Sequence, residues 1–376
     1  MIITREQFLA NFNGNAINTF DDFIDTYTVR IRNKTTPLKE YALRKNISKK
    51  PLEILYSHVV ERDKYLTRFY NTSLLVNDDI CIRREPMKKE DMNNNNNVNY
   101  KNIIRNMHYK DILENTYSGI DNNPTFMKVL YDIYINRIID YKILTPSALH
   151  YIINGRIGSV YSSFYFRASI MNPYLVYSLN KSMLKGTKVF TPTLGWSSYS
   201  YGFMECDEII EYVGTDVIPD VCSKTRTFLK NNYKDKIHKI FQSPSENLMK
   251  NKGFRSKYDS HFDLVFFSPP YFKMEMYPGD KQSTINYNDY DQWLKKYWEK
   301  TIQLCLHVLE PGGKLCYILS GYGNKNSKNS FNLIDDMNKI TEKYFTLLHV
   351  MPLYNKNVHV TQHRETAEKI MTFCKM

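Results

Sequence analysis

Asp263-Leu264-Val265-Phe266-Phe267-Ser268-Pro269-Pro270-Tyr271 is an apolar run that stops at two prolines. Its Leu, Val and Phe residues suit a strand buried on both faces, as in a parallel sheet. Proline lacks the N–H a sheet ladder needs and fixes φ, so the strand must end near Ser268 in a stiff turn. Short runs of the same β-rich kind recur at Thr187–Thr191, Glu211–Asp216, Lys239–Gln242, Lys314–Ser320, Phe345–Met351 and Lys369–Phe373. Amphipathic stretches lie between them, at Asn172–Leu184, Val221–Lys230, Tyr290–Leu309 and Asn332–Tyr344. Strand and helix in alternation predict an α/β domain with a mainly parallel sheet covered on both faces. Leu309-Glu310-Pro311-Gly312-Gly313 stops a helix and turns the chain into the next strand. Ligands of such sheets bind beyond the carboxyl ends of the strands, which is where a site is expected.

The front of the chain has a different texture. Residues 1–157 read as a mostly helical N-terminal domain, and 158–376 as the α/β domain. Between Arg30 and Lys50 stand eight basic residues against Glu40 alone. Arg30, Arg32, Lys34, Arg44 and Lys45 are therefore candidates for phosphate contact, although a solvated face gives the same pattern. An asparagine run at Asn93–Asn97 lies in the polar stretch Lys88–Asn102, which reads as an exposed loop. The loop Lys273–Asn288 and the basic front are the candidates for target recognition.

Composition narrows the field. The 376 residues are 42% hydrophobic and 24% charged, enough for one large domain or two ordinary ones and too apolar for a wholly disordered chain. Lys and Arg exceed Asp and Glu by 51 to 39, a net charge of +12 that favours a polyanionic partner, nucleic acid first. No uninterrupted apolar stretch approaches the ~18 residues of a membrane span, and the start lacks a signal-peptide layout. Cys81, Cys206, Cys222, Cys305, Cys316 and Cys374 form no Cys-x-x-Cys pair, which argues against structural zinc or a disulfide scaffold. The expectation is a soluble intracellular protein without metal or membrane, its oligomeric state open. Abundant Asn, Lys, Ile, Tyr and Phe reflect A/T-rich codons, which would suit a virus or a protist, with a host cytoplasm or nucleus as the setting if viral. The 30 tyrosines are accordingly no evidence for a base-stacking surface.

The Ser268-Pro269-Pro270-Tyr271 turn resembles the [Asp/Asn/Ser]-Pro-Pro-[Tyr/Phe/Trp] motif of the amino-group DNA methyltransferases, which modify the exocyclic nitrogen of adenine or cytosine. Val189-Phe190-Thr191-Pro192-Thr193-Leu194-Gly195-Trp196-Ser197 is similar to that family's glycine-bearing cofactor loop. The strand ending in Asp216 resembles the one whose acidic residue holds the ribose of S-adenosylmethionine. Phe164-Tyr165-Phe166-Arg167 looks like the segment that closes over the methionine end, and Ser245-Glu246 stands where the adenine contact would fall. The resemblance covers about residues 158–376 and implies a Rossmann-like methyltransferase domain. It implies S-adenosylmethionine as cofactor, bound by Phe166, Thr191, Pro192, Gly195, Trp196, Asp216 and Glu246. It implies Ser268, Pro269, Pro270 and Tyr271 as catalytic residues, and a self-encoded, restriction-modification-like role. Two positions depart from the pattern: Thr191 stands where an acidic residue opens the loop, and Ser197 where a second glycine is usual.

The chemistry gives each part a reason. An exocyclic amino nitrogen is a poor nucleophile because its lone pair is delocalised into the ring. Hydrogen bonds from its protons to the Ser268 side chain and the Pro269 carbonyl would free that lone pair, and prolines aim such a carbonyl stiffly. Tyr271 would stack on an extruded base. Methylation at a ring carbon needs a cysteine nucleophile instead, and the chain has no Pro-Cys pair. The reading is therefore DNA amino methylation, cytosine N4 slightly ahead of adenine N6. An RNA base, or a non-catalytic nucleic-acid-binding scaffold with the same fold, stands as the alternative.

Overall fold

A computed structural model describes residues 2–14, 17–77, 79–82, 84–120, 123–320, 331–355 and 364–376. All seven expected strands are present, as β1 (Lys188–Thr191), β2 (Glu211–Asp216), β3 (Ile237–Gln242), β4 (Phe262–Phe267), β5 (Leu309–Ser320), β6 (Thr346–Asn355) and β7 (Arg364–Cys374). They form one sheet in the order β6-β7-β5-β4-β1-β2-β3. The β1–β2, β2–β3, β1–β4 and β4–β5 pairs are parallel, and β7 runs antiparallel to both its neighbours. The chain starts at β1, runs outward to β3, then returns to β4 on the other side. The order therefore reverses between β1 and β4, the place where open sheets of this kind take their ligands. This is the expected Rossmann-like methyltransferase class of α/β fold, with one antiparallel strand inserted near an edge.

The quoted strand sits at the centre of this sheet. Phe262, Leu264, Val265, Phe266 and Phe267 are all buried, each burial contributing about 1.5–3 kcal/mol. Phe266 packs edge-on against Phe203 at 5.4 Å and Phe267 against Trp298 at 5.7 Å, from helices that cover the strands. Asp263 sets the stagger of β1 against β4. Its carboxylate accepts the Thr187 N–H at 2.9 Å, the Thr187 hydroxyl at 2.5 Å and the Lys188 N–H at 3.1 Å.

The domain division differs from the expected break at 157/158. Residues 1–75 with 105–169 form one compact unit, and 76–104 with 170–376 the other. The first unit is mostly helical and carries a three-stranded sheet of Thr28–Ile31, Lys34–Pro37 and Ile138–Asp140. Residues 158–169 stay with it because they continue the helix Ile157–Phe164 and then pair Phe166 beside Thr125.

The asparagine run is also not a free loop. Asn93 is 2% exposed. The Asn94 side-chain oxygen accepts the Asn172 N–H at 2.7 Å, and the Asn172 amide donates to the Asn96 carbonyl at 2.6 Å. Amide side chains can replace the water partners of a backbone, which is how so polar a run packs against the α/β unit.

Candidate active site

Beyond β1 the chain crosses the sheet's upper edge as Pro192–Ser197 and enters the helix Ser198–Met204. Gly195, Trp196 and Ser197 are left-handed in succession, at φ +52°, +59° and +72°. Glycine takes that conformation freely; each of the other two costs about 1 kcal/mol or more. The Ser197 hydroxyl shares a hydrogen bond with the Thr225 hydroxyl at 2.7 Å, and the Trp196 ring is buried 5.8 Å from Tyr277. The serine in the second-glycine position is thus strained, and anchored. At Gly195 glycine is required twice over, because a Cβ would lie 2.3 Å from the Tyr199 ring.

Tyr199 joins this loop to the Ser268–Tyr271 turn. Its hydroxyl accepts the Ser268 N–H at 3.1 Å and donates to the Ser268 carbonyl at 3.4 Å. The Thr193 hydroxyl reaches the same carbonyl at 3.5 Å. On the other side the Leu194 N–H donates to Asp216 Oδ2 at 3.1 Å. One loop therefore touches both the end of β2 and the end of β4. The loop of Gly195 thereby meets Asp216 and Ser268, three of the expected residues.

Within the turn Pro269 is buried, while Ser268, Pro270 and Tyr271 are half-buried. Tyr271 is less free than a stacking role alone would make it. Its hydroxyl accepts the Ser320 N–H at 3.0 Å at the end of β5, and burial pushes the phenol upward from its ordinary pKa. Glu368 on β7 faces Ser320 in the register, and its charge is felt by both Tyr271 and Tyr199. Burial raises its carboxyl as well. No motif marked Glu368 or Tyr199, and Thr193 lay in the quoted loop without an assigned role.

At the end of β2, Asp216 accepts the Leu194 N–H at 3.1 Å and the Ile218 N–H at 3.1 Å. The carboxylate keeps acceptor capacity for a ligand hydroxyl. Burial raises its pKa, and three backbone N–H groups pull the other way. Beyond β3, Glu246 lies in the short helix Ser245–Leu248, its carboxyl raised by burial. Its Oε1 is buried without a hydrogen-bond partner among the described residues, and so is the Tyr297 hydroxyl. Tyr297 is 3% exposed, and its phenol feels the charges of Glu246 and Asp216. Sequence gave no reason to select it among 30 tyrosines.

Several expected roles change. The Thr191 hydroxyl is fully buried against that of Tyr212 at 2.6 Å, so it braces β1 against β2 and has no free face for a ligand. Pro192 and Trp196 are likewise buried in the loop's own packing. Phe166 belongs to the first unit, where its N–H donates to Pro124 and its carbonyl accepts from Phe126. Arg30 is 16% exposed and bound to the carboxylates of Asp132 and Asp140, which removes it from any phosphate surface. Arg32, Lys34, Arg44 and Lys45 remain exposed.

Among the described residues no helix is long and apolar enough to cross a membrane, and no group of three His, Cys, Asp or Glu could hold a metal. No known protein-family model and no curated protein matches the chain. Solved structures resemble it in fold. The N-methyltransferase NodS from Bradyrhizobium japonicum, solved with S-adenosyl-L-homocysteine, has 10% identity and a TM-score of 0.34, over 54% of this chain and 83% of its own. TrmN from Thermus thermophilus has 12% identity and a TM-score of 0.36, over 55% and 49%. The [4+2]-cyclase SpnF has 10% identity and a TM-score of 0.38, over 55% and 83%. Such likeness concerns architecture; the reaction must be argued from the site.

Proposed function

We propose that this protein is an S-adenosylmethionine-dependent methyltransferase acting on an exocyclic amino group of a DNA base, with cytosine N4 slightly favoured over adenine N6. The observation that carries the reading is the Tyr199 hydroxyl, which ties the loop after β1 to the Ser-Pro-Pro-Tyr turn. The remaining acceptors fit the donor. Asp216 keeps acceptor capacity for a ribose hydroxyl, and the unpartnered Glu246 Oε1 suits the adenine amino group. When bound, S-adenosylmethionine supplies an electrophilic methyl group on a sulfonium. The Ser268 side chain and the Pro269 carbonyl would then accept hydrogen bonds from the target amine, with Pro269 and Pro270 holding the turn rigid. Tyr271, tied at its hydroxyl to Ser320, offers its ring to the base.

Purified protein incubated with labelled donor and matched DNA and RNA, followed by nucleoside analysis, tests this reading. Expected is 4-methylcytosine in DNA, reduced about a hundredfold in Ser268→Ala, the size of effect seen when one polar contact to the reacting group is removed. Label confined to RNA, or 6-methyladenine alone, would overturn the substrate assignment. One observation favours a non-catalytic protein: Thr191, in the place of an acidic residue, spends its hydroxyl on Tyr212 and leaves the donor's ammonium without that partner. That reading expects no donor binding even at millimolar concentration.

A further inference from the structure

The first unit encloses a cavity of about 560 Å³ that the methyl-transfer chemistry does not use. Its wall is aromatic. His58 and Tyr65 stack at 3.8 Å, Phe69 and Phe126 stack at 4.8 Å, and Tyr161 stands edge-on to both His58 and Phe126. Burial lowers the His58 pKa to about 3, so the ring is neutral and the wall carries no charge. The rim is different. Arg68 and Arg156 are exposed there beside Ser159 and Ser162, and among the described residues neither guanidinium is paired with a carboxylate. Gly155 and Gly158 line it too, with open space where a side chain would be.

One polar group lies within the apolar part. Tyr161 is 5% exposed, and its hydroxyl has no hydrogen-bond partner among the described residues. A buried hydroxyl left unpaired is costly to the free protein, and this one is covered by its own surroundings and not open to the cavity. The volume falls in the range of small-molecule sites, roughly 300–1,000 Å³. Flat neutral rings inside and two cationic forks at the mouth match a molecule with a planar base and a phosphate.

We propose that this cavity binds one nucleotide of a single-stranded nucleic acid, the aromatic wall taking the base and Arg68 and Arg156 the phosphate. A strand fits the chain's charge of +12 better than a free nucleotide does. The proposal does not depend on methyl transfer.

The test uses the full chain and a single-stranded octanucleotide carrying 2-aminopurine, titrated by anisotropy and by 2-aminopurine emission across a salt series. Binding with quenched emission is expected. Arg68→Ala/Arg156→Ala should weaken binding about tenfold and flatten the log–log salt slope by about 0.7, one phosphate at the single-strand coefficient. Emission that is not quenched, affinity and slope unchanged in the arginine variant, or binding of a mononucleotide but not of the strand would each overturn the proposal.

Discussion

At Tyr199 a single phenol meets both the N–H and the carbonyl of Ser268, while its ring fills the space a side chain at position 195 would need. Gly195 was legible because a sharp turn after a strand demands φ above zero, and glycine announces that need. Tyr199 was not, because its importance lies in a contact across 69 residues, and one tyrosine among 30 carries no local mark. Thr191 was misread for the same reason: its partner Tyr212 lies on the neighbouring strand, invisible to a motif. Tyr297 offers a prediction at this scale. Its buried hydroxyl has no partner among the described residues, so Tyr297→Phe should raise the melting temperature of the free protein by about 2–4 °C. It should also weaken S-adenosylmethionine binding about two- to tenfold. A scanning calorimeter with and without donor reads both; a lower melting temperature with unchanged affinity would make the hydroxyl purely structural.

Among the elements, the strands were the most readable. Five of them are parallel; β1, β2, β4 and the second half of β5 are buried nearly throughout, which marks them out, whereas the edge strand β3 buries only Ile240. Their ends were less certain: β5 was expected from Lys314, yet the ladder resumes from Leu309 across an irregularity at the two glycines. The asparagine run was read as solvated because composition reports polarity and not the partner that satisfies it. Here the partner is Asn172, the N-cap of the helix Pro173–Leu179, whose side-chain oxygen accepts the Tyr174 N–H at 3.0 Å. Asn172→Ala removes that cap together with the side-chain bonds to the Asn96 and Asn97 carbonyls, leaving the backbone N–H bond to Asn94 in place. It should lower stability by about 2 kcal/mol, read from urea unfolding, whereas a change under 0.5 kcal/mol would show that the run docks by other contacts.

For the whole molecule, net charge pointed toward nucleic acid but could not say where it would bind. The Arg30–Lys50 patch loses Arg30 to buried aspartates, and Lys39 and Lys49 pair with Asp25 and Glu53. Electrostatics also sets a pH dependence. Burial raises the carboxyl pKa of Glu246 and of Glu368 above the ordinary value. A folded-state pKa above the unfolded one means the contribution to stability is fully present below the unfolded value and is lost as pH rises through the folded one. At neutral pH both groups therefore weigh against the fold. Glu246→Gln/Glu368→Gln should be more stable than the parent at pH 7, with the gain shrinking toward pH 4 in thermal unfolding. A gain independent of pH would show that these carboxyls are not held above their ordinary range.

Titration calorimetry of S-adenosylmethionine into the full chain and into Asp216→Ala asks most directly whether the loop after β1 and the end of β2 form a donor site. Saturable binding to one site is expected, weakened about tenfold or more in the variant, the size of a lost charge-assisted hydrogen bond. Absence of heat at millimolar donor, or equal affinity in both proteins, would contradict the account.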